Sequence, residues 1–152
     1  IKGIEIIFRT LLAQFEIDDS KLVVADASGL SKKNKITAKL MGELLYKIRI
    51  DARYALLYES LPIGGVSGTL QSRFTTTAPS AVGLVRAKTG TLNGTATLAG
   101  YVQSTDREYV FVTLADDIAK GNAALNKARA AIDRVLGRIA APNIPAEISP
   151  AP

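Results

Sequence analysis

The chain has 152 residues, of which 47% are hydrophobic, so it is long enough to form one domain around a buried core. It contains no cysteine and no histidine, which excludes disulfide bonds, thiolate metal sites and a serine–histidine triad built from this chain alone. Its formal net charge is +5, but aromatic residues make up only 6% and no recognisable nucleic-acid motif accompanies the lysines, so we expect no nucleic-acid partner.

The first half of the chain is dominated by helical patterns. Apolar residues at helical spacing begin almost at the first residue, without an initiator methionine or a convincing cap, as in a chain cut within or just before a helix. Periodicity and turn residues predict a helix over 2–15, a strand at 23–24, a helix over 37–50, a shorter helix over 52–60 and one helical turn over 69–74.

The second half of the chain predicts a three-stranded antiparallel meander followed by a long helix. Strand-like runs cover 84–89, 97–103 and 109–115, and Asn93-Gly94 is a hairpin turn signal. Asn122 is predicted to cap the helix. Its apolar stripe should pack on the sheet and comprises Leu125, Ala128, Ile132, Val135, Leu136 and Ile139.

These elements predict an α+β fold for residues 1–141, in which N- and C-terminal helices cover an antiparallel sheet. Four of the six prolines fall within 142–152, so this segment is predicted to be a proline-rich tail outside the fold. No run of residues approaches the length of a membrane span.

The tripeptide Lys88-Thr89-Gly90 lies on the first strand of the predicted meander and matches one of three signature motifs of penicillin-interacting serine enzymes. The other two signatures, Ser-x-x-Lys and Ser-x-Asn, do not occur in the sequence. We therefore expect the chain to be the C-terminal part of an enzyme whose nucleophile lies on a preceding segment. By itself the tripeptide also fits an exposed lysine beside a turn.

Side-chain alternation along this strand suggests how the motif could act. Neighbouring strand residues point to opposite faces, so Thr89 and Thr91 share one face, while Lys88 shares the other with Arg86. Two hydroxyls and a nearby ammonium group are suited to bind a carboxylate. Gly90 has no side chain, which lets a substrate backbone lie close to the strand or lets the strand kink.

A second landmark is the run 26–31, Asp-Ala-Ser-Gly-Leu-Ser, which on residue type alone fits a connecting turn. Taken with 68–70, 73–74, 87–92 and 98–101, in this order and spacing, it resembles the D-alanyl-D-alanine carboxypeptidase/endopeptidase family of class C low-molecular-mass penicillin-binding proteins. The resemblance extends from about residue 4 to residue 139. Members usually carry glycine in place of Ala27, a departure that is harmless unless the backbone there is left-handed.

The resemblance implies part of the penicillin-binding/β-lactamase-like serine enzyme fold. It also implies that the complete protein hydrolyses the D-alanyl-D-alanine bond of peptidoglycan stem peptides through an acyl-enzyme, with possible endopeptidase action on cross-links. Lys88 and Thr91 would then be catalytic, Lys88 through its positive potential and Thr91 through its backbone N–H in the oxyanion hole. The Thr89 and Thr91 hydroxyls would bind the substrate carboxylate, and Gly90 between them would be a further substrate-binding position. Leu30 would form the wall against the substrate side chain.

The partners implied by the resemblance are a peptidoglycan stem peptide or a β-lactam, together with the preceding segment of the same protein. The location implied is extracytoplasmic, in the periplasm or at the cell wall. We expect no cofactor and no metal. Two alternatives remain open: another penicillin-recognising serine hydrolase such as a β-lactamase, and a non-catalytic peptidoglycan-binding module.

Overall fold

The computed structural model describes residues 2–141, so the predicted tail lies outside the described residues. Within residues 2–141 the chain forms a three-stranded antiparallel sheet and four α-helices, which confirms the α+β class. Their bounds are α1 Lys2–Gln14, α2 Ala38–Ile50, α3 Ala55–Ser60, β1 Val85–Leu92, β2 Thr95–Gln103, β3 Glu108–Ala115 and α4 Asn122–Ala140. Short 3-10 turns lie at Ala52–Tyr54, Gly68–Leu70 and Pro79–Ala81.

The sheet is a meander in which β2 pairs with both β1 and β3, as the strand pattern predicts. Gly94, in the hairpin between β1 and β2, takes a φ of 84°, a left-handed value that glycine adopts without steric cost. β1 continues beyond the predicted end at residue 89 as far as Leu92, so the whole Lys-Thr-Gly motif lies inside a regular strand.

One face of the sheet carries the main core and is covered by α4. Val85 and Ala87 of β1 and Leu98 of β2 are completely buried on this face, and they pack with Ile132 and Leu136 of the helix. Burial of side chains of this kind stabilises a fold by roughly 1.5–3 kcal/mol for each large aliphatic residue. This packing fixes the first half of β1 against α4.

The opposite face of the sheet is covered by α2. Tyr101 of β2 is buried against this helix and donates its hydroxyl to the carbonyl oxygen of Leu45 at 2.8 Å. Burial raises the pKa of Tyr101 to about 12. At the C-terminal end of α2, Arg49 forms an ion pair with Glu108 of β3 at 2.5 Å. These two contacts tie α2 to neighbouring strands.

The helix α1 belongs to a second, smaller core that it shares with the segment leading into α2. Its buried members are Leu12, Ile17, Leu22, Val24 and Leu40. The N-terminal helix that lies on the sheet is thus α2. The outer side chains of α1 remain apolar, and Ile6 and Ile7 are 63% and 60% exposed. No helix within residues 2–141 combines the length and apolar character needed to cross a membrane.

Three local predictions differ from the structure. The strand at 23–24 is reduced to a single antiparallel bridge between Val23 and Lys35. Asn122 does not cap α4: Gly121 occupies the cap position with a φ of 112°, so Asn122 is already the first helical residue. Val135 is 60% exposed, because the face turned to the sheet contains Ile132 and Leu136 and leaves Val135 to the side.

An ion pair between Arg73 and Asp133 fixes α4 to the segment that precedes β1. Both side chains are nearly buried, and Thr77 donates its hydroxyl to Asp133 at 3.1 Å. The Arg73 guanidinium also donates to the backbone carbonyl of Arg129, one turn earlier in α4, at 3.2 Å. The pair therefore fixes the middle of α4 relative to the rest of the fold.

We expect Asp133→Asn to destabilise the complete protein by about 3 kcal/mol, because it leaves the Arg73 charge buried without its counter-charge. Urea unfolding monitored by circular dichroism measures this loss. Arg134→Gln, at the neighbouring exposed position, is the control and should change stability by less than about 0.5 kcal/mol. An Asp133→Asn variant as stable as the parent would show that the pair does not hold the helix.

Candidate active site at the end of strand β1

The face of β1 that packs into the core is apolar in the first half of the strand and polar in the second half. Val85 and Ala87 are fully buried, whereas Thr89, on the same face, is half-buried and Thr91 is exposed. The alternation predicted from the sequence is therefore present, and both threonine hydroxyls lie where the apolar core ends. The strand delivers two polar side chains to the surface next to α4.

The outer edge of β1 is covered only along its first half. Gly64 donates its N–H to Val85 at 2.9 Å, and Ala87 donates its N–H to Pro62 at 3.0 Å. Since strand residues alternate in the direction of their backbone groups, the amides of Thr89 and Thr91 also point to this outer edge, beyond the end of the covering segment. They are available to an extended ligand laid beside the strand.

A cleft of about 630 Å³ separates the end of β1 from α4. We call it the helix-side cleft; its polar lining includes Thr69, Arg73, Thr89, Thr91 and Arg129. Thr89 donates its hydroxyl to the Thr69 hydroxyl at 3.1 Å, and Arg129 donates to the Thr91 hydroxyl at the same distance. The threonines of the motif are thus joined to side chains on two other segments.

A second cleft, of about 1120 Å³, lies between the end of β1 and the 28–36 segment, and we call it the loop-side cleft. Leu30 lines it together with Thr89, Gly90 and Thr91. Leu30 is 71% exposed, which leaves its side chain free to contact a ligand. The structure therefore brings all four predicted substrate-binding residues to one cleft.

The loop that carries Leu30 is organised by Asp26. Its carboxylate accepts hydrogen bonds from the Asn34 side chain at 2.9 Å and from the N–H groups of Gly29 and Ser31, both at 3.0 Å. These bonds, that from Asn34 first, lower the pKa of Asp26. The run 26–31 is therefore a turn, as its residue types suggest, and it is a closed and hydrogen-bonded one.

The alanine at position 27 has an ordinary backbone conformation. The residues other than glycine with positive φ within 2–141 are Glu16, Phe74 and Asp117. The departure from the family's usual glycine therefore introduces no strain at Ala27.

Lys88 lies on the opposite face of β1 from the threonines, as alternation requires. Its ammonium group donates to the backbone carbonyl of its neighbour Thr89 at 2.9 Å, and the side chain is exposed. It is absent from the described lining of the two clefts. The structure thus holds its charge at the strand edge beside the threonines and does not place it between them.

Gly90 is required by the sheet itself. A Cβ atom at this position would collide with the hydroxyl oxygen of Thr97 on β2, which donates to the Gly90 carbonyl at 3.3 Å. The strand runs through Gly90 without interruption, so the kink considered from the sequence does not occur.

Arg129 contacts Thr91 but was not predicted from the sequence as a site residue. It lies one turn before Asp133 and seven residues before Leu136, on the side of α4 that faces the sheet. Two charged residues on an otherwise apolar stripe, Arg129 and Asp133, are the signal that could have identified this position.

Comparison with known proteins gives the family of this chain. The D-Ala-D-Ala carboxypeptidase 3 (S13) family matches residues 2–139, and the chain belongs to this family, as predicted. Carboxypeptidase DacB of Mycolicibacterium smegmatis is 42% identical over 110 residues, which are 70% of this chain and 24% of that protein. The D-alanyl-D-alanine carboxypeptidase of Actinomadura sp. is 40% identical over 106 residues, 66% of this chain and 19% of that protein.

Solved structures agree with this assignment. Penicillin-binding protein 4 of Haemophilus influenzae matches with a TM-score of 0.73 and 30% identity, over 84% of this chain and 29% of that one. A predatory endopeptidase of Bdellovibrio bacteriovorus, solved with an immunity protein, shares the fold with a TM-score of 0.72 at 22% identity, over 87% of this chain and 35% of that one. The chain spans about a quarter or less of the length of the two curated relatives.

We expect the loop that carries Leu30 to loosen in acid. Because folding lowers the pKa of Asp26, its stabilising contribution is fully present above the ordinary value of 3.8 and is lost as the pH falls through the lower folded pKa. At neutral pH, Asp26→Ala should reproduce the effect. Hydrogen exchange of the Gly29 and Ser31 amides, corrected for intrinsic rates, measures it.

Asp18→Ala provides the matched control, since Asp18 accepts a hydrogen bond from the Ser20 amide in a different turn. It should accelerate exchange at Ser20 and leave Gly29 and Ser31 unchanged. Unaltered protection of these two amides in Asp26→Ala would mean that the carboxylate does not organise the loop.

Proposed function

We propose that residues 1–141 are the C-terminal portion of a serine-type D-Ala-D-Ala carboxypeptidase domain that acts on peptidoglycan stem peptides outside the cytoplasmic membrane. The observation that carries this proposal is the uncovered end of β1, where two threonine hydroxyls and two outward-facing amides lie between two clefts. Membership of the carboxypeptidase family supports it. β-Lactams would bind at the same place, as analogues of the peptide.

In this proposal a serine on a preceding segment attacks the carbonyl carbon of the penultimate D-alanine. The Thr91 N–H stabilises the oxyanion, the terminal D-alanine leaves with a proton, and water then hydrolyses the acyl-enzyme. The Thr91 hydroxyl binds the terminal carboxylate, and the Thr89 hydroxyl does so by turning its proton from the Thr69 oxygen to the ligand. Leu30 contacts the side chain of the stem peptide, and the Lys88 ammonium contributes positive potential from the strand edge.

The two alternatives predict different behaviour of the complete protein. A β-lactamase would form an acyl-enzyme with penicillin and hydrolyse it rapidly, whereas a carboxypeptidase would retain the acyl group and also release D-alanine from peptides. A non-catalytic peptidoglycan-binding module would form no acyl-enzyme. The chain's similarity to D-alanyl-D-alanine carboxypeptidases favours a carboxypeptidase over both alternatives.

Fluorescent penicillin tests the assignment directly. The complete enzyme should become covalently labelled, and peptide mapping should place the label on a serine outside these 152 residues, because neither Ser-x-x-Lys nor Ser-x-Asn occurs here. A label on one of the serines of this chain would contradict the proposal that the nucleophile lies on a preceding segment. If the complete protein is neither labelled nor able to release D-alanine, it is not a carboxypeptidase.

Lys88→Gln tests the electrostatic role, since it keeps most of the length of the side chain and removes the charge. We expect penicillin acylation of the complete enzyme to slow by about a hundredfold, equivalent to roughly 3 kcal/mol, with an unchanged unfolding midpoint. Lys127→Gln, at an exposed position of α4, is the control and should acylate like the parent. Equal acylation rates for the two variants would show that Lys88 is a solvated strand residue with no role in acylation.

A further inference from the structure

Arg129 is held at the wall of the helix-side cleft by contacts from several segments. Its Nη2 atom donates to the Thr91 hydroxyl at 3.1 Å, and its Nη1 atom donates to the Asn126 side chain at 3.1 Å. Its backbone carbonyl accepts from Arg73, which is itself paired with Asp133. The position of the guanidinium beside β1 is therefore built into the packing of α4.

This contact has a chemical consequence for Thr91. A guanidinium has only donors, so in the contact the threonine oxygen must accept. The single hydroxyl proton of Thr91 then remains for an acceptor on the ligand. The arrangement thus presents the Thr91 hydroxyl proton to an acceptor oxygen of a ligand in the cleft.

The charge of Arg129 also favours a carboxylate ligand. Within residues 2–141 no carboxylate lies within ion-pair distance of this guanidinium, and Asp133, the acidic residue one turn away, is engaged by Arg73 and Thr77. The positive charge at the cleft is therefore not neutralised by an ion pair. Guanidinium groups suit carboxylates in particular, because their planar donors match the two oxygens.

We propose that Arg129 is a positioning residue that makes this site selective for ligands ending in a free carboxylate, by orienting the Thr91 hydroxyl and supplying an unneutralised positive charge. The inference rests on the proposed function and deepens it. It assigns the preference for a carboxylate to a side chain of α4 outside the Lys-Thr-Gly motif.

The test compares two peptide substrates of the complete enzyme that differ only at the C-terminus: one ends in D-alanyl-D-alanine with a free carboxylate, the other in the corresponding carboxamide. The parent should prefer the carboxylate. In Arg129→Gln the ratio of the two kcat/KM values should fall by about tenfold or more, the amount expected for loss of a charge-assisted contact. Hydrolysis of the carboxamide should stay within about twofold of the parent.

Two further variants sharpen the result. Arg129→Lys keeps the charge on a shorter donor and should lose less of the preference than Arg129→Gln. Arg134→Gln, at an exposed position of the same helix, should keep the parental ratio.

The possible failures are distinguishable. If the parent hydrolyses neither peptide, the proposed function is wrong. If the parent prefers the carboxylate and Arg129→Gln keeps that preference, or loses activity on both peptides equally, the function stands and the role given to Arg129 is overturned.

Discussion

The alternation of side chains along β1 is the constraint on which the site depends. Val85 and Ala87 are fixed in the core by their packing against α4, so Thr89 and Thr91 must emerge on the same face further along the strand. A slip by one residue would turn Lys88 towards α4 and carry both hydroxyls to the other face. The packing of the core therefore decides which side chains of β1 face the helix-side cleft.

The same strand is also an edge, and its two halves are used differently. Unpaired strand edges are a hazard in proteins, because they invite pairing with other chains. Here the segment 62–64 pairs with the edge at Val85 and Ala87 and does not extend alongside Thr89. What remains open is short and bears threonine and glycine. An edge of this kind can accept one extended peptide in a defined register while offering little surface for aggregation.

Periodicity predicted the seven helices and strands that form within residues 2–141, because each has an apolar face at its own spacing, but it also predicted a strand at 23–24 that is only a bridge. Periodicity does not predict which residues of different helices and strands contact one another. Nothing local indicates that Gly121 takes the cap position from Asn122, or that Gly90 is required by the Thr97 hydroxyl across the sheet. Arg129 shows the same limit: its role depends on Thr91, which is distant in sequence. The motif residues were predictable because the family resemblance carried that tertiary information.

The hydrogen bond from Tyr101 to the Leu45 carbonyl has a consequence for how the molecule behaves in alkali. Ionisation of this tyrosine would place a phenolate in a buried site, and this burial raises the pKa of Tyr101 to about 12. The bond stabilises the fold fully below the ordinary tyrosine value of 10.0 and is lost only as the pH rises through about 12. Ionisation of Tyr101 removes the proton that it donates to Leu45, so strong alkali breaks a hydrogen bond between α2 and the sheet.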